Sequence, residues 1–129
     1  MTRAHAHVLI VEDNALVTSA TRILLEDAGF RVSAAGTVAD AHALCRSDPP
    51  DAILLDLRLP DGDGLALLKQ LRDEGPQMPV VVALTGRDEP EIRARCLRAG
   101  CVDVLLKPVD VRALGAQIKS WLEASAGAS

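Results

Sequence analysis

The chain has 129 residues, 49% of them hydrophobic, at a mean hydropathy of +0.18, which suits one domain with a real core. Its net charge of −4 and sequence pI of about 5.3 argue against a broad nucleic-acid surface, which needs clustered Lys and Arg. No apolar run approaches the roughly 18 residues of a membrane span, and the short N-terminal one is cut by Glu12-Asp13, so it reads as a buried strand, not a signal segment. Cys45, Cys96 and Cys101 have no metal-ligand spacing and form no CxxC pair. They read as small buried hydrophobes in a reducing, cytoplasmic setting. Phe30 and Trp121 are the only aromatics, so the core is aliphatic.

His7–Val11 reads as a first strand. Leu16, Ala20, Ile23, Leu24 and Ala28 then recur at helical spacing, and Gly29 is a stop. Arg31–Ala35 is a second strand. Thr37 caps a helix from Val38 to about Arg46, ended by Pro49-Pro50. Ala52–Asp56 is a third strand, followed by a turn-rich loop, Arg58 to Gly64, in which Asp61 and Asp63 read as turn residues. Leu65–Arg72 is helical. Val80–Thr85 is nearly all apolar, as a strand buried on both faces requires. Pro90–Ala99 is a helix with Gly100 as its C-terminal cap, and Val102–Leu106 is a fifth strand. Asp110 caps a last helix to about Ala124, with Trp121 partly in the core. The domain is expected over residues 1–124, with residues 125–129 a flexible tail. His5, His7 and His42 read as ordinary side chains.

Five βα units in succession imply an α/β fold: a doubly wound, five-stranded parallel sheet of flavodoxin-like order 2-1-3-4-5. In such a sheet the strand ends share one edge, where ligands bind. Here each of those ends carries chemistry. Glu12 and Asp13 follow VLIV, Asp56 follows AILL, Thr85 follows VVVAL, and Lys107 follows VDVLL. Asp56 is the candidate nucleophile, because a carboxylate can attack phosphorus to give an acyl phosphate. Three crowded carboxylates need a counter-charge, and Mg²⁺ suits carboxylates, waters and phosphate oxygens. Asp13 and Asp56 are the expected direct ligands, Glu12 acts through water or binds the metal in some states, and the Arg58 backbone carbonyl adds an oxygen. Lys107 supplies a point charge for the phosphoryl group, with the Lys107-Pro108 bond expected to be cis. Thr85 donates its hydroxyl to a phosphoryl oxygen and so distinguishes modified from unmodified Asp56.

These segments resemble the receiver domains of bacterial two-component response regulators, the CheY-like superfamily. The resemblance covers Val8 to Leu122 and rests on VLIVEDN, LLDLRLPDGDG, ALTGR and AGCVDVLLKP in order. It implies Glu12 and Asp13 as the acidic pair, Asp56 as phosphoacceptor, Thr85 as switch hydroxyl and Lys107 as phosphate-binding lysine. It further implies a phosphohistidine donor on a sensor histidine kinase or phosphotransfer protein. The output would be a downstream effector or a neighbouring domain, with no direct binding of nucleic acid or membrane. The face of the fourth helix, fifth strand and fifth helix is a candidate homodimer surface.

Two positions depart from the family pattern. Val104 stands where an aromatic usually lies three residues before the lysine, so coupling to that face is expected to be reduced or altered. Arg58 and Arg87 lie two residues after Asp56 and Thr85, flanking the path of hydrolytic water, so the phospho-Asp lifetime should depend on both. The expected activity is a phosphorylation-activated switch, enzymatic only in acquiring and shedding its own phosphoryl group. One alternative is an aspartate-nucleophile phosphohydrolase, disfavoured because Arg58 stands where those enzymes carry a second Asp and the chain has no cap domain. The other is a phosphorylation-independent, receiver-shaped interaction module. No output motif follows Ala124, which fits a stand-alone receiver or an excised domain.

Overall fold

Strand residues of this chain alternate between two apolar layers, and that alternation builds the molecule. In the computed structural model, which describes residues 5–127, β1 (His7–Val11), β2 (Arg31–Ala35), β3 (Ala52–Asp56), β6 (Val80–Thr85) and β7 (Asp103–Leu106) form one sheet. Its order is β2-β1-β3-β6-β7, and every neighbouring pair is parallel. The expected order is therefore observed. The strand numbers differ because a two-residue-per-strand antiparallel hairpin, β4 (Arg58–Leu59) and β5 (Gly62–Asp63), occupies what read as a loop.

One set of side chains, Leu9, Val11, Ile53, Leu55, Val81 and Ala83, packs against α2 (Val38–Ser47), α3 (Leu65–Glu74) and α4 (Pro90–Ala99). Ala41, Cys45, Leu67, Leu68 and Cys96 meet them from those helices. The alternate set, Val8, Ile10, Leu54, Val82 and Leu84, packs against Leu25 of α1 (Ala15–Asp27) and Leu114 and Ile118 of α5 (Val111–Gly127). Each fully buried Leu or Ile contributes about 1.5–3 kcal/mol relative to exposure. Trp121 lies partly buried against this second layer, as read from sequence.

Helix ends follow local chemistry. Asn14 Oδ1 accepts the Leu16 and Val17 N–H groups at 3.0 and 3.2 Å and starts α1. Thr37 Oγ1 accepts Asp40 N–H at 3.0 Å at the start of α2. Gly100 closes α4 at φ 112°, a conformation that favours glycine. Helix α5 continues to Gly127, past the Ala124 read from the sequence; residues 128–129 of the expected tail lie outside the described residues.

The face of α1 differs from the sequence expectation. Thr21 and Leu25 are its buried residues. Leu16, Ile23 and Leu24 are 83%, 64% and 36% exposed, and Ala20 is exposed too. The apolar residues of this helix span more than one face, so periodicity alone permits two orientations. His7 is also not an ordinary exposed histidine. It is buried, with Nε2 2.7 Å from Ser33 Oγ and Nδ1 3.4 Å from the Pro49 carbonyl.

Candidate functional site

The carboxyl ends of β1, β3, β6 and β7 converge on one cleft, lined by Glu12, Asp13, Asp56, Arg58, Thr85, Arg87 and Lys107 among others. Asp56 and Thr85 end their strands, and both are buried. Glu12 follows β1, and its N–H donates to Ala35 O at 2.9 Å, which fixes the loop as it leaves the sheet. Lys107 follows β7, and its N–H donates to Thr85 O at 2.7 Å, continuing the β6–β7 register. The Lys107-Pro108 bond is cis, as the need to aim the lysine at the site suggested.

Lys107 Nζ donates to Glu12 Oε2 at 3.1 Å and to Asp56 Oδ2 at 3.0 Å. The other Asp56 oxygen, Oδ1, accepts Arg58 N–H at 3.0 Å. Thr85 Oγ1 accepts Arg87 N–H at 3.1 Å and retains its own proton for donation. Burial raises the Glu12 pKa, and its bond with Asp56 adds to this; Lys107 opposes both without cancelling them. Burial also works to raise Asp56, but the bonds from Glu12, Arg58 N–H and Lys107 outweigh it and leave the pKa lowered. For Lys107 burial works downward, and the bonds to Asp56 and Glu12 overcome it, so its pKa is raised. The protein's own groups therefore favour a charged Asp56 beside a charged lysine, with the proton burden on Glu12.

One carboxylate oxygen from each of Glu12, Asp13 and Asp56 lies within 4.8 Å of the other two. Lys107 pairs with Glu12 and Asp56, and Asp13, the third carboxylate, is exposed, leaving room for water ligands. That donor set fits a small, hard divalent cation such as Mg²⁺, which retains several waters beside one or two carboxylates. The structure thus gathers every predicted site residue on one edge.

Sequence reading missed what holds the hairpin. Asp61 Oδ1 and Oδ2 accept the Val38 and Ala39 N–H groups at the start of α2. Asp63 accepts Leu65 N–H at 2.9 Å and pairs with Arg95 of α4, which also lines the cleft. Pairings across more than twenty positions leave no local signal beyond the acids themselves.

A doubly wound sheet with an acidic cluster, a strand-end hydroxyl and a lysine at its carboxyl edge carries its polar groups where open α/β sheets bind ligands. The family model described as the response regulator receiver domain matches residues 8–119, and the chain belongs to that family of two-component systems. It is 38% identical over 122 residues to the transcriptional regulatory protein PmrA of Pectobacterium parmentieri, covering 95% of this chain and 54% of the relative. It is 33% identical over 120 residues to the virulence transcriptional regulatory protein PhoP of Salmonella typhimurium, covering 93% and 53%. The chain spans about half the length of these curated relatives. Among solved structures, a CheY-like receiver domain protein from Methanospirillum hungatei superposes with a TM-score of 0.88 at 29% identity, covering 97% of this chain and 99% of the other. NtrX from Brucella abortus gives 0.84 at 27% identity, covering 95% of this chain and 28% of the other. No helix among the described residues is long and apolar enough to cross a membrane.

Proposed function

We propose that this chain is a phosphorylation-driven switch that accepts a phosphoryl group on Asp56 from a phosphohistidine donor, on a sensor histidine kinase or a phosphotransfer protein. The observation that carries the reading is the buried Asp56 carboxylate, 3.0 Å from Lys107 Nζ and within reach of the same cation site as Glu12 and Asp13. An Asp56 oxygen attacks phosphorus as the phosphorus–nitrogen bond breaks. The P–O bond forms, and the leaving electron pair returns to the donor imidazole. Mg²⁺, when bound, neutralises charge on the transferring phosphoryl oxygens. Asp13 and Asp56 would hold it directly, Glu12 would act through water or bind it in some states, and the Arg58 carbonyl would supply a further oxygen. Lys107 orients the phosphoryl group by its charge. The Thr85 hydroxyl donates to a phosphoryl oxygen, and its movement reports the modification.

The chain catalyses only its own phosphorylation and dephosphorylation. Its output is altered binding of an effector or of a neighbouring domain, in the cytoplasm. Leu97, Val102 and Leu106, each between 43% and 49% exposed, lie on α4, the following loop and β7. They support that face, with α5, as a homodimer surface.

Intact-mass measurement after incubation with Mg²⁺ and acetyl phosphate tests this reading. The expected result is a gain of one phosphoryl group, absent in Asp56→Asn and abolished by a chelator. No gain, together with no binding of beryllofluoride, would leave a phosphorylation-independent interaction module.

A further inference from the structure

The loop after Asp56 is a hairpin finger of four paired residues, and a two-stranded hairpin is marginal in water even when longer. Its place must come from ties to the rest of the fold. At its base, Arg58 N–H donates to Asp56 Oδ1, and Gly64 N–H to Leu57 O, each at 3.0 Å. At its tip, Asp61 Oδ1 accepts Val38 N–H at 2.8 Å, and Oδ2 accepts Ala39 N–H at 3.1 Å. Those two N–H bonds also hold the Asp61 pKa below the usual carboxylate value.

The helix start that Asp61 grips adjoins the acidic pair. Ala35 O accepts Glu12 N–H at 2.9 Å, and a Cβ added to Gly36 would lie 3.8 Å from Asp13 Cα. One carboxylate thus fastens together two loops, one abutting Glu12 and Asp13 and the other carrying Arg58 just beyond Asp56. Helix α2 has its own cap in Thr37, so Asp61 is not needed to start it. Asp61 is also not among the three carboxylates of the cation cluster.

We propose that Asp61 is a positioning residue of the metal site: by clamping the hairpin tip to the first turn of α2, it sets the Arg58 carbonyl in register with Asp13 and Asp56. This inference rests on the proposed function, since the Arg58 carbonyl matters only if the acidic cluster binds a cation. Asp61 touches no ion and acts through the loop. Its loss should therefore lower Mg²⁺ affinity as the loss of an outer-shell partner does, by about tenfold or more.

Calorimetric titration of Mg²⁺ into the whole chain tests this, comparing wild type with Asp61→Ala, Asp61→Asn and Thr37→Ala. Asp61→Ala should weaken binding about tenfold. Asp61→Asn, which keeps one acceptor oxygen, should fall between it and wild type. Thr37→Ala removes the helix's own cap without touching the hairpin and should bind like wild type. In the metal-free protein, the Val38 and Ala39 amides should exchange faster in Asp61→Ala. Wild-type Mg²⁺ affinity in Asp61→Ala would overturn the clamp, as would an equal loss in Thr37→Ala, because α2 stability would then explain both. If Asp61→Ala does not fold, an Asp61→Asn affinity equal to wild type overturns it instead. A wild-type chain that binds no Mg²⁺ would overturn the metal-site reading and this inference with it.

Discussion

Glu12 bears the strain of placing three acids together. Its pKa is raised from 4.5, first by burial and then by Asp56, so the folded state disfavours its charge. For a raised pKa, the folded state holds the proton more tightly than the unfolded one. Glu12 therefore costs nothing below the unfolded value. Its penalty grows as pH rises from about 4.5 through the folded value. Glu12→Gln keeps an oxygen for Lys107 and removes the charge. In chelator at pH 7 it should be more stable than wild type, seen as a higher Tm, because the charge that burial and Asp56 disfavour is gone. At pH 4 the gain should vanish, and an equal gain at both pH values would contradict the charge account. Arg58 and Arg87 sit differently. Their backbone N–H groups bond Asp56 and Thr85, while their side chains lie on the rim, where Arg87 is 3.6 Å from Glu89. Truncating both to Ala removes two cations from the rim of the cleft that holds Asp56 and keeps the backbone bonds. The decay rate of the phosphorylated protein should change severalfold; an unaltered rate would reject a role for either side chain.

At the scale of elements, the five strands were legible because each is an apolar run stopped by a polar residue. Polar ends of that kind also made Glu12, Asp13, Asp56, Thr85 and Lys107 readable as one site before any coordinates. The face of α1 was not legible, because Leu16, Val17, Ala20, Ile23, Leu24 and Leu25 offer two overlapping stripes. Tertiary packing chose between them. An added Cβ on Gly115 of α5 would lie 3.1 Å from Ala28 Cβ, so the helices meet closely at small residues and turn Leu25 inward. Ile23→Ser should then change stability by no more than about 0.5 kcal/mol, whereas Leu25→Ala should lose about 2–5 kcal/mol. Equal losses in chemical denaturation would reverse the assignment of faces. The hairpin was illegible for another reason: its glycines and acids read as a turn, and Asp61 finds its partners on a helix far back in the chain. Gly64 shows how tightly that hairpin closes on the site. A Cβ there would lie 2.3 Å from the Asp56 carbonyl oxygen, a backbone atom that cannot move without moving the phosphoacceptor. Gly64→Ala should cost about 1–3 kcal/mol, as overpacking does, and should slow phosphorylation by acetyl phosphate in the fraction that remains folded. Wild-type stability and rate together would show that the loop yields freely.

Across the whole molecule, a signal at Asp56 has to leave the edge of the sheet to be useful. Thr85 ends β6, and its carbonyl accepts Lys107 N–H at 2.7 Å, so under the proposed switch a shift of Thr85 would bear first on the end of β7. The route onward toward α4 and α5 passes Val104, which pairs with Ala83 in the sheet and lies partly buried against the layer containing Cys96 and Cys101. A β-branched side chain is stiff at χ1 and carries no ring where the family usually has one. The neighbouring ties are weak ones: Arg93 bonds Asp103 at 3.2 Å and the Val104 carbonyl at 3.3 Å, with its side chain 55% exposed. Exposed pairs of this kind contribute at most about 1 kcal/mol, so they neither lock the face nor drive it. Under the proposed switch, coupling through the face of α4, β7 and α5 should therefore be reduced or altered in this chain. On binding beryllofluoride with Mg²⁺, amide shifts should be large around Glu12 to Asn14, Asp56 to Gly64 and Thr85 to Arg87. They should be small around Val104 and along α5. Val104→Tyr should enlarge the shifts at α5, if the missing ring is what limits the coupling. Large wild-type shifts around Val104 and α5 would mean instead that the backbone of β7 carries the signal without a ring, and the face of α4, β7 and α5 would then answer to phosphorylation directly.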